Sequence, residues 1–337
     1  MLSIGLDVHW RSFVLCILDT NGKRIKEIRR KGGWQRLLES LRQIRQPFAI
    51  CYEASCGYGY LYDQLSKLAR RVVVAHPGQL RLIFRSKRKH DRVDARKLAT
   101  LLFLEQVPTV HVPSVAVRSW RQLIEFRQRL IRQRVRVKNG LRSLLRSHGI
   151  AAPWRGSLWT QKGQAWLAEL KLPTPAAAVQ RDLLLDDLQR VAQQIKRVEQ
   201  ELKRIAAREP AVALLQTIPG VGPRTAEAVV AYVDDARRFA RSRQVGSYFG
   251  LVPCQDQSAD KNRLGHITRE GPSTVRKLLT EAAWQGIRRD ERLKRYFERI
   301  QGSDPGRRKI ALIATAHYLV RAMHAMLRTG EVWRAAA

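Results

Sequence analysis

Apolar and polar positions alternate from the first residues of this chain. In Ser3-Ile4-Gly5-Leu6-Asp7-Val8, the residues Ile4, Leu6 and Val8 share one face and Asp7 lies on the other, which is the period of a strand. Phe13 to Leu18 is almost continuously apolar, so it predicts a buried strand. Asn21-Gly22 is a hairpin signal, and Lys23 to Ile28 returns as a third strand. The period then changes. Leu37, Leu38, Leu41 and Ile44 fall on one side of a helix from Trp34 to Arg45, which Pro47 stops. Phe48 to Glu53 is a fourth strand ending on a carboxylate. Gly57-Tyr58-Gly59 is a loop, and Leu61, Leu65 and Leu68 mark the next helix. Val72 to Ala75 is a fifth strand, closed by His76-Pro77-Gly78. Three meandering strands followed by alternating helix and strand predict an α/β unit with a mixed sheet.

Beyond it the helical period dominates. A helix opens at Lys89-His90-Asp91-Arg92-Val93-Asp94-Ala95-Arg96, and Leu98 and Leu101 continue the Asp91/Asp94 face. Pro108 and Pro113 bracket a linker. From Arg118 to Arg146 a helix carries Leu123, Leu130, Val137 and Leu144 at every seventh position. Trp154, Trp159 and Trp166 follow in a less regular stretch, where packing accounts for them better than base stacking. Leu188, Val191, Ile195, Val198, Leu202 and Ile205 form a heptad seam, suited to a helical hairpin or an intermolecular coiled coil, and Pro210 ends it. Leu214 to Ala226 contains Pro219-Gly220-Val221-Gly222 and matches a helix-hairpin-helix element. A plain turn between helices is the alternative. Cys254 to Gly271 is polar and bounded by glycine, and is expected to be a loop. Val275, Leu278, Leu279 and Ala282 mark a further helix. The expected division is residues 1–115, an α/β domain; 116–209, a basic helical and coiled-coil domain; and 210–337, a mostly α-helical domain.

Composition narrows the partners. The 337 residues include 63 Lys and Arg against 29 Asp and Glu, a formal charge of +34 with a pI near 11.2, while 45% of residues are hydrophobic. A folded chain with that excess calls for a polyanion, nucleic acid first and an anionic membrane second. No apolar span of about 18 residues and no signal peptide is evident, which argues against insertion or export and for the cytoplasm. Cys16, Cys51, Cys56 and Cys254 form no CxxC and read as reduced thiols. The Arg118–Arg146 helix carries ten Arg or Lys and one acid, Glu125. Arg129, Arg132, Arg134 and Arg136 therefore suit a helix tracking phosphates, or else a solvated basic face. At Gly220, Gly222 and Thr225, backbone N–H groups would face a phosphate without reading sequence.

Against this basic background the acids stand out. Asp91 and Asp94 are spaced i, i+3, so a helix sets two like charges side by side. The helix dipole offsets part of that repulsion and a divalent metal would offset more. Asp7 and Glu53 join them if the first and fourth strands are neighbours. Separately, Asp7 reads as a strand-end turn acid and Glu53 as a cap.

The runs Ile4-Gly5-Leu6-Asp7, Cys51-Tyr52-Glu53-Ala54 and Asp91-Arg92-Val93-Asp94-Ala95-Arg96 resemble the RuvC-like, RNase H-fold domain of insertion-sequence family 110 (Piv-like) transposases. Gly250-Leu251-Val252-Pro253, Ser258, Lys261-Asn262-Arg263-Leu264-Gly265-His266-Ile267 and Gly271 resemble the family's C-terminal transposase domain, especially in its 1111 subgroup. Ala259-Asp260 stands where that family commonly has small residues after the serine. The resemblance implies a DNA recombinase that moves an insertion sequence, guided by an element-encoded bridge RNA. It implies donor and target double-stranded DNA as substrates, and a dimer that becomes a tetramer in the synaptic complex. It further implies a bacterial or archaeal, nucleoid-associated protein. Asp7, Glu53, Asp91 and Asp94 would hold Mg²⁺ or Mn²⁺, and Ser258 would be the nucleophile of a phosphoserine intermediate, with Lys261 and Arg263 near the phosphate. Two alternatives stand beside it: a RuvC-like metal-dependent nuclease that uses water, and a non-catalytic basic nucleic-acid-binding protein.

Overall fold

The computed structural model describes residues 1–55, 57–83, 91–258 and 261–334, and the chain divides into two compact units, Met1–Arg118 and Ser119–Ala337. The first unit runs β1 (Leu2–Val8), β2 (Ser12–Leu18), β3 (Arg24–Lys31), α1 (Trp34–Arg42), β4 (Phe48–Glu53), α2 (Tyr58–Leu65), β5 (Arg71–Ala75), α3 (Pro77–Ile83) and α4 (Asp91–Phe103). Its five strands are ordered β3-β2-β1-β4-β5. The β2–β3 turn forms because the Asp19 carboxylate accepts from the N–H groups of Asn21 and Lys23, both at 2.8 Å, and Gly22 takes a φ of +77°. That hairpin makes β1, β2 and β3 antiparallel. The crossovers through α1 and α2 return the chain parallel, β1 to β4 and β4 to β5.

The alternation along the strands sorts the two faces of the sheet. Ile4, Leu6, Phe13, Leu15, Ile17, Ile50 and Tyr52 join Leu37, Leu41, Leu61 and Leu65 of α1 and α2 in one core. The intervening positions face the other way: Val14, Cys16 and Leu18 cluster with Ala95 and Ala99 of α4, and Ala49 and Cys51 with Leu98, Leu101 and Leu102. Asp7 and Glu53 have the parity of the second set. The segment closed by His76-Pro77-Gly78 continues as α3, a helix that the proline at its start permits. Lys89 and His90, expected to open the next helix, lie outside the described residues, and so does Cys56.

α5 (Val115–Ser147) begins in the first unit and runs into the second, which continues with α6 (Gln161–Glu169), α7 (Pro175–Ala206), α8 (Pro210–Gln216), α9 (Pro223–Val233), α10 (Ser242–Tyr248), β6 (Pro253–Ser258), β7 (Lys261–Ile267), α11 (Ser273–Gly286), α12 (Glu291–Gln301) and α13 (Arg308–Thr329). The heptad seam is buried within the chain. Leu188 packs on Val137 and Leu141, while Val191, Ile195, Val198 and Leu202 share a core with Trp120, Ile124 and Leu130 of α5 and Val212 and Leu215 of α8. Arg127 donates to Glu199 at 2.7 Å, so α5 and α7 run antiparallel as a helical hairpin. An intermolecular role for that seam is thereby corrected, because its apolar stripe is already covered. The stretches expected as 116–209 and 210–337 both fall in this one unit. Trp154 packs edge-on against Trp166 at 5.4 Å, and Lys138 and Arg142 sit over the Trp159 ring.

Two further expectations change. Pro253–Ser258 and Lys261–Ile267 pair as an antiparallel ribbon where a loop was expected; their polar residues mark strands with no core to cover, so no apolar period announces them. The chain does contain a helix long and apolar enough to cross a membrane, at Pro305–Thr329 with a mean hydropathy of 1.4 over its best window. Its Ala311, Thr315, Ala316, Leu319, Val320 and Met323 are buried in this unit, which accounts for that composition.

Candidate metal centre

β1 and β4 lie side by side in parallel, with Leu6 paired to Tyr52, so Asp7 and Glu53 follow directly at the same end of the sheet. α4 crosses that face with Asp91 and Asp94 in its first turn. Gly5 makes the crossing close: a Cβ there would sit 1.9 Å from the Ala95 carbonyl oxygen and 2.4 Å from the Ala99 nitrogen. Ala95 and Ala99 complete the small-on-small contact, which brings the helix start down beside Asp7. Arg92 Nε lies 3.1 Å from Glu27 on β3 and ties the same turn to the sheet.

The carboxylates of Asp7 and Asp91 and the His9 imidazole offer ligand atoms within 4.8 Å of one another. His9 Nε2 is 3.6 Å from Asp7 Oδ2 and 3.9 Å from Asp91 Oδ1, a cationic nitrogen between two acids when protonated. Glu53 and Asp94, expected as ligands with them, are not part of this group and reach Asp7 only through their charge; Asp94 Oδ1 lies 3.9 Å from Lys97 Nζ. Burial, then Asp91, Asp94 and Glu53, hold the Asp7 carboxyl above its ordinary range, against an opposing pull from His9. A carboxylate whose negative charge is disfavoured by burial and by neighbouring acids, with two ligating neighbours, fits a divalent cation that would offset that charge. Sequence reasoning missed His9. The signal was there, because Asp7 and His9 are spaced by two and share a side where the strand ends.

The expected nucleic-acid surfaces lie in the second unit. Arg129, Arg132 and Arg136 are exposed on α5 and Arg134 is half-buried. Arg134, Lys138 and Arg142 form an i, i+4 row of like charge; burial, then those two arginines, push the Lys138 ammonium below its ordinary range. α8 and α9 form a tight helical pair through Thr217–Gly222. Gly220, at φ +90°, packs on the Gly286 backbone, where a Cβ would be 2.4 Å from its nitrogen. Gly222 is exposed with open space around it. Thr225 is corrected as a contact residue. It is only 6% exposed, and its N–H donates to Gly222 O, because it faces the core side of α9. In the ribbon, Arg263 is exposed opposite Asp256, and the backbone of Ser258 pairs with Lys261. The side chains of Ser258 and Lys261, together with Ala259 and Asp260, lie outside the described residues. The ribbon's root is clamped. A Cβ on Gly250 would strike Glu270 backbone at 2.4 Å, one on Gly271 would strike Tyr248 O at 2.0 Å, and Arg276 donates to the carbonyls of Phe249, Glu270 and Gly271. Those contacts explain the glycines that bound the segment.

With this geometry in hand, comparison with known proteins is informative. A DEDD-type transposase domain of the IS110 kind matches residues 4–150, and the "Transposase IS116/IS110/IS902 family" domain matches residues 212–298. A probable family 20 transposase of Pseudomonas aeruginosa is 27% identical over 288 residues, covering 85% of this chain and 84% of that protein. The transposase for insertion sequence element IS1111A of Coxiella burnetii is 28% identical over 281 residues, covering 83% and 76%. The transposase for insertion sequence element IS1328 of Yersinia enterocolitica is 26% identical over 286 residues, covering 83% and 82%. The two domains lie on one chain, the first spanning Asp7, Glu53, Asp91 and Asp94 and the second the clamped ribbon, and the chain belongs to the IS110/IS116/IS902 family of insertion-sequence transposases.

Proposed function

We propose that this transposase is an RNA-guided DNA recombinase that cuts and rejoins strands through a phosphoserine intermediate, with a metal-holding acidic site on a RuvC-like sheet. The observation that carries the proposal is the meeting of Asp7, Asp91 and His9 within ligating distance, with Glu53 and Asp94 adding negative charge around them. The β3-β2-β1-β4-β5 order, antiparallel then parallel, supports the RNase H-type assignment. Mg²⁺ or Mn²⁺ bound there supplies charge stabilisation at a phosphate. Glu53 and Asp94 keep the site negative, and His9 extends the ligand set beyond oxygen.

In the strand-transfer step, Ser258 Oγ attacks phosphorus. The Oγ–P bond forms, the bond from phosphorus to the leaving sugar oxygen breaks, the serine proton passes to a base, and the leaving oxygen gains a proton. The phosphodiester energy is kept, so attack of a second sugar hydroxyl on the phosphoserine reverses these changes without ATP. Exposed Arg129, Arg132 and Arg136 on α5, the open backbone at Gly222, and Arg263 on the ribbon suit phosphates, not bases. Target sequence would then come from pairing with a guide RNA. Protein, guide RNA and donor and target duplexes, incubated and denatured, should yield a protein–DNA adduct that Ser258→Ala removes. Cleavage that survives in Ser258→Ala would instead assign the acids to a water-using nuclease.

Binding to duplex DNA should weaken steeply with salt, with a logarithmic slope of roughly −0.9 per neutralised phosphate. Replacing Arg129, Arg132, Arg134 and Arg136 by Gln should flatten that slope by about 2 to 4, as each lost phosphate contact removes close to one unit. Titration of a fluorescent duplex across a salt series measures it, and an unchanged slope would take these residues out of the interface.

A further inference from the structure

Beside the acid cluster, the first unit holds a cavity of about 250 Å³ lined by Val8, His9, Trp10, Trp34, Gly57 and Tyr58 among others. His9 belongs to both places, so the cavity opens directly next to the candidate metal ligands. Its wall is aromatic and built. The Trp10 and Trp34 rings meet edge to face at 5.6 Å, and the Trp34 ring stacks on Tyr60 at 4.9 Å. Gly57, at φ +81°, makes room for Trp34, since a Cβ there would lie 2.3 Å from Cη2 of that ring. The Tyr52 hydroxyl donates to Tyr58 O at 2.6 Å and pins the loop that carries Gly57. On the other side, His9 N donates to Ser12 O and Gly32 N to Arg11 O, which hold the Trp10 turn against the sheet. Trp10 is nonetheless 76% exposed and Tyr60 50% exposed. The backbone is thus arranged to present large rings to solvent in a cavity that shares His9 with the place where a phosphate would bind.

A nucleotide has this shape: a phosphate at one end and a flat apolar base at the other. We propose that the cavity receives an unpaired DNA base, that of the nucleotide adjoining the phosphate held at the acid cluster, and stacks it on Trp10. The proposal rests on the function argued above only in taking the acid cluster as the phosphate's place. Aromatic stacking of this type needs no base identity, because every base has a π-face. It would hold one strand out of the duplex at the position where chemistry occurs.

The probe is a single-stranded oligodeoxynucleotide carrying 5-iodouracil at successive positions, irradiated in Mn²⁺ with the full-length Ser258→Ala protein, so that cleavage plays no part and the acid cluster stays intact. The expected result is a photocrosslink mapped by mass spectrometry to Trp10 or Trp34, absent in a Trp10→Ala derivative and retained in Trp10→Phe. In parallel, Trp10→Ala should lower affinity for the unsubstituted single strand by roughly five- to hundredfold while duplex affinity is kept. Crosslinks mapping only elsewhere, or unchanged single-strand affinity in Trp10→Ala, would overturn the proposal. Crosslinking of the corresponding oligoribonucleotide in place of DNA would overturn the DNA assignment. Failure of the acid variants to impair cleavage would sink the metal-site function separately, since the crosslink is read without turnover.

Discussion

Asp7→Asn and Asp91→Asn are each expected to reduce strand cleavage by at least about a thousandfold, the scale of losing several kcal/mol of transition-state charge stabilisation. DNA affinity should stay within about twofold, because an acid makes no phosphate contact of its own. Asp7→Asn carries a second readout. The Asp7 carboxyl is held above its ordinary value by burial and by Asp91, Asp94 and Glu53, so the folded state binds that proton more readily than the unfolded state does. The Asp7 contribution to stability therefore falls as pH rises from the ordinary carboxylate value of 3.8 through the raised one, and stays lower above it. Asparagine never charges. In chelator at neutral pH, the Asp7→Asn protein should melt higher than the parent, and the difference should vanish in acid. Mn²⁺ should then raise the melting temperature of the parent and not of the variant, since a ligand of the folded state stabilises by mass action. A variant that melts lower in chelator, or one that cleaves normally, would contradict the assignment of Asp7 to this site.

The sheet was legible because burial on two faces writes itself into period two. Ile4, Leu6, Phe13, Leu15 and Ile50 had to face one way, and that alone sends Asp7 and Glu53 to the other face. The paired aspartates were legible for a different reason, since like charges one helical turn apart need an offset. His9 was not seen: its spacing of two from Asp7 was the only local sign, and its second partner, Asp91, comes from distant sequence on α4. The β6–β7 ribbon was not seen because it covers no core, so its strands alternate nothing apolar. The role of the seam in α7 was ambiguous in principle: a heptad stripe states that it must be covered and does not state by which chain. Here α5 and α8 cover it. Thr225 looked accessible because a turn between helices usually is, but α9 places it one step into the helix, on the buried side. Gly5 has no sequence signal of its own, and the close approach of α4 gives it its reason.

Among the described glycines of the first unit, Gly5 is the one where an added methyl group would come closest to a neighbouring atom. The added Cβ would meet the Ala95 oxygen and Ala99 nitrogen at 1.9 and 2.4 Å, and both are backbone atoms of α4 that no rotamer change can move. The helix must lift or tilt off β1, and overpacking of this kind costs about 1–3 kcal/mol. Asp91 and Asp94 sit in the first turn of the same helix, so the lift also draws them away from Asp7 and His9. A displacement of about 1 Å at a catalytic group costs on the order of a hundredfold in rate. Gly5→Ala is therefore expected to lower the urea midpoint and, in protein that remains folded, to lower cleavage about a hundredfold. It should also weaken the stabilisation by Mn²⁺, because the ligands no longer converge. Gly265→Ala is the matching control. Gly265 also lies in a strand, but its Cβ would find its nearest neighbour at 3.7 Å, so the substitution should leave stability within about 0.5 kcal/mol. If Gly5→Ala proves as stable as Gly265→Ala and still gains Mn²⁺ stabilisation in full, the close approach of α4 to β1 is not what sets the acids in place.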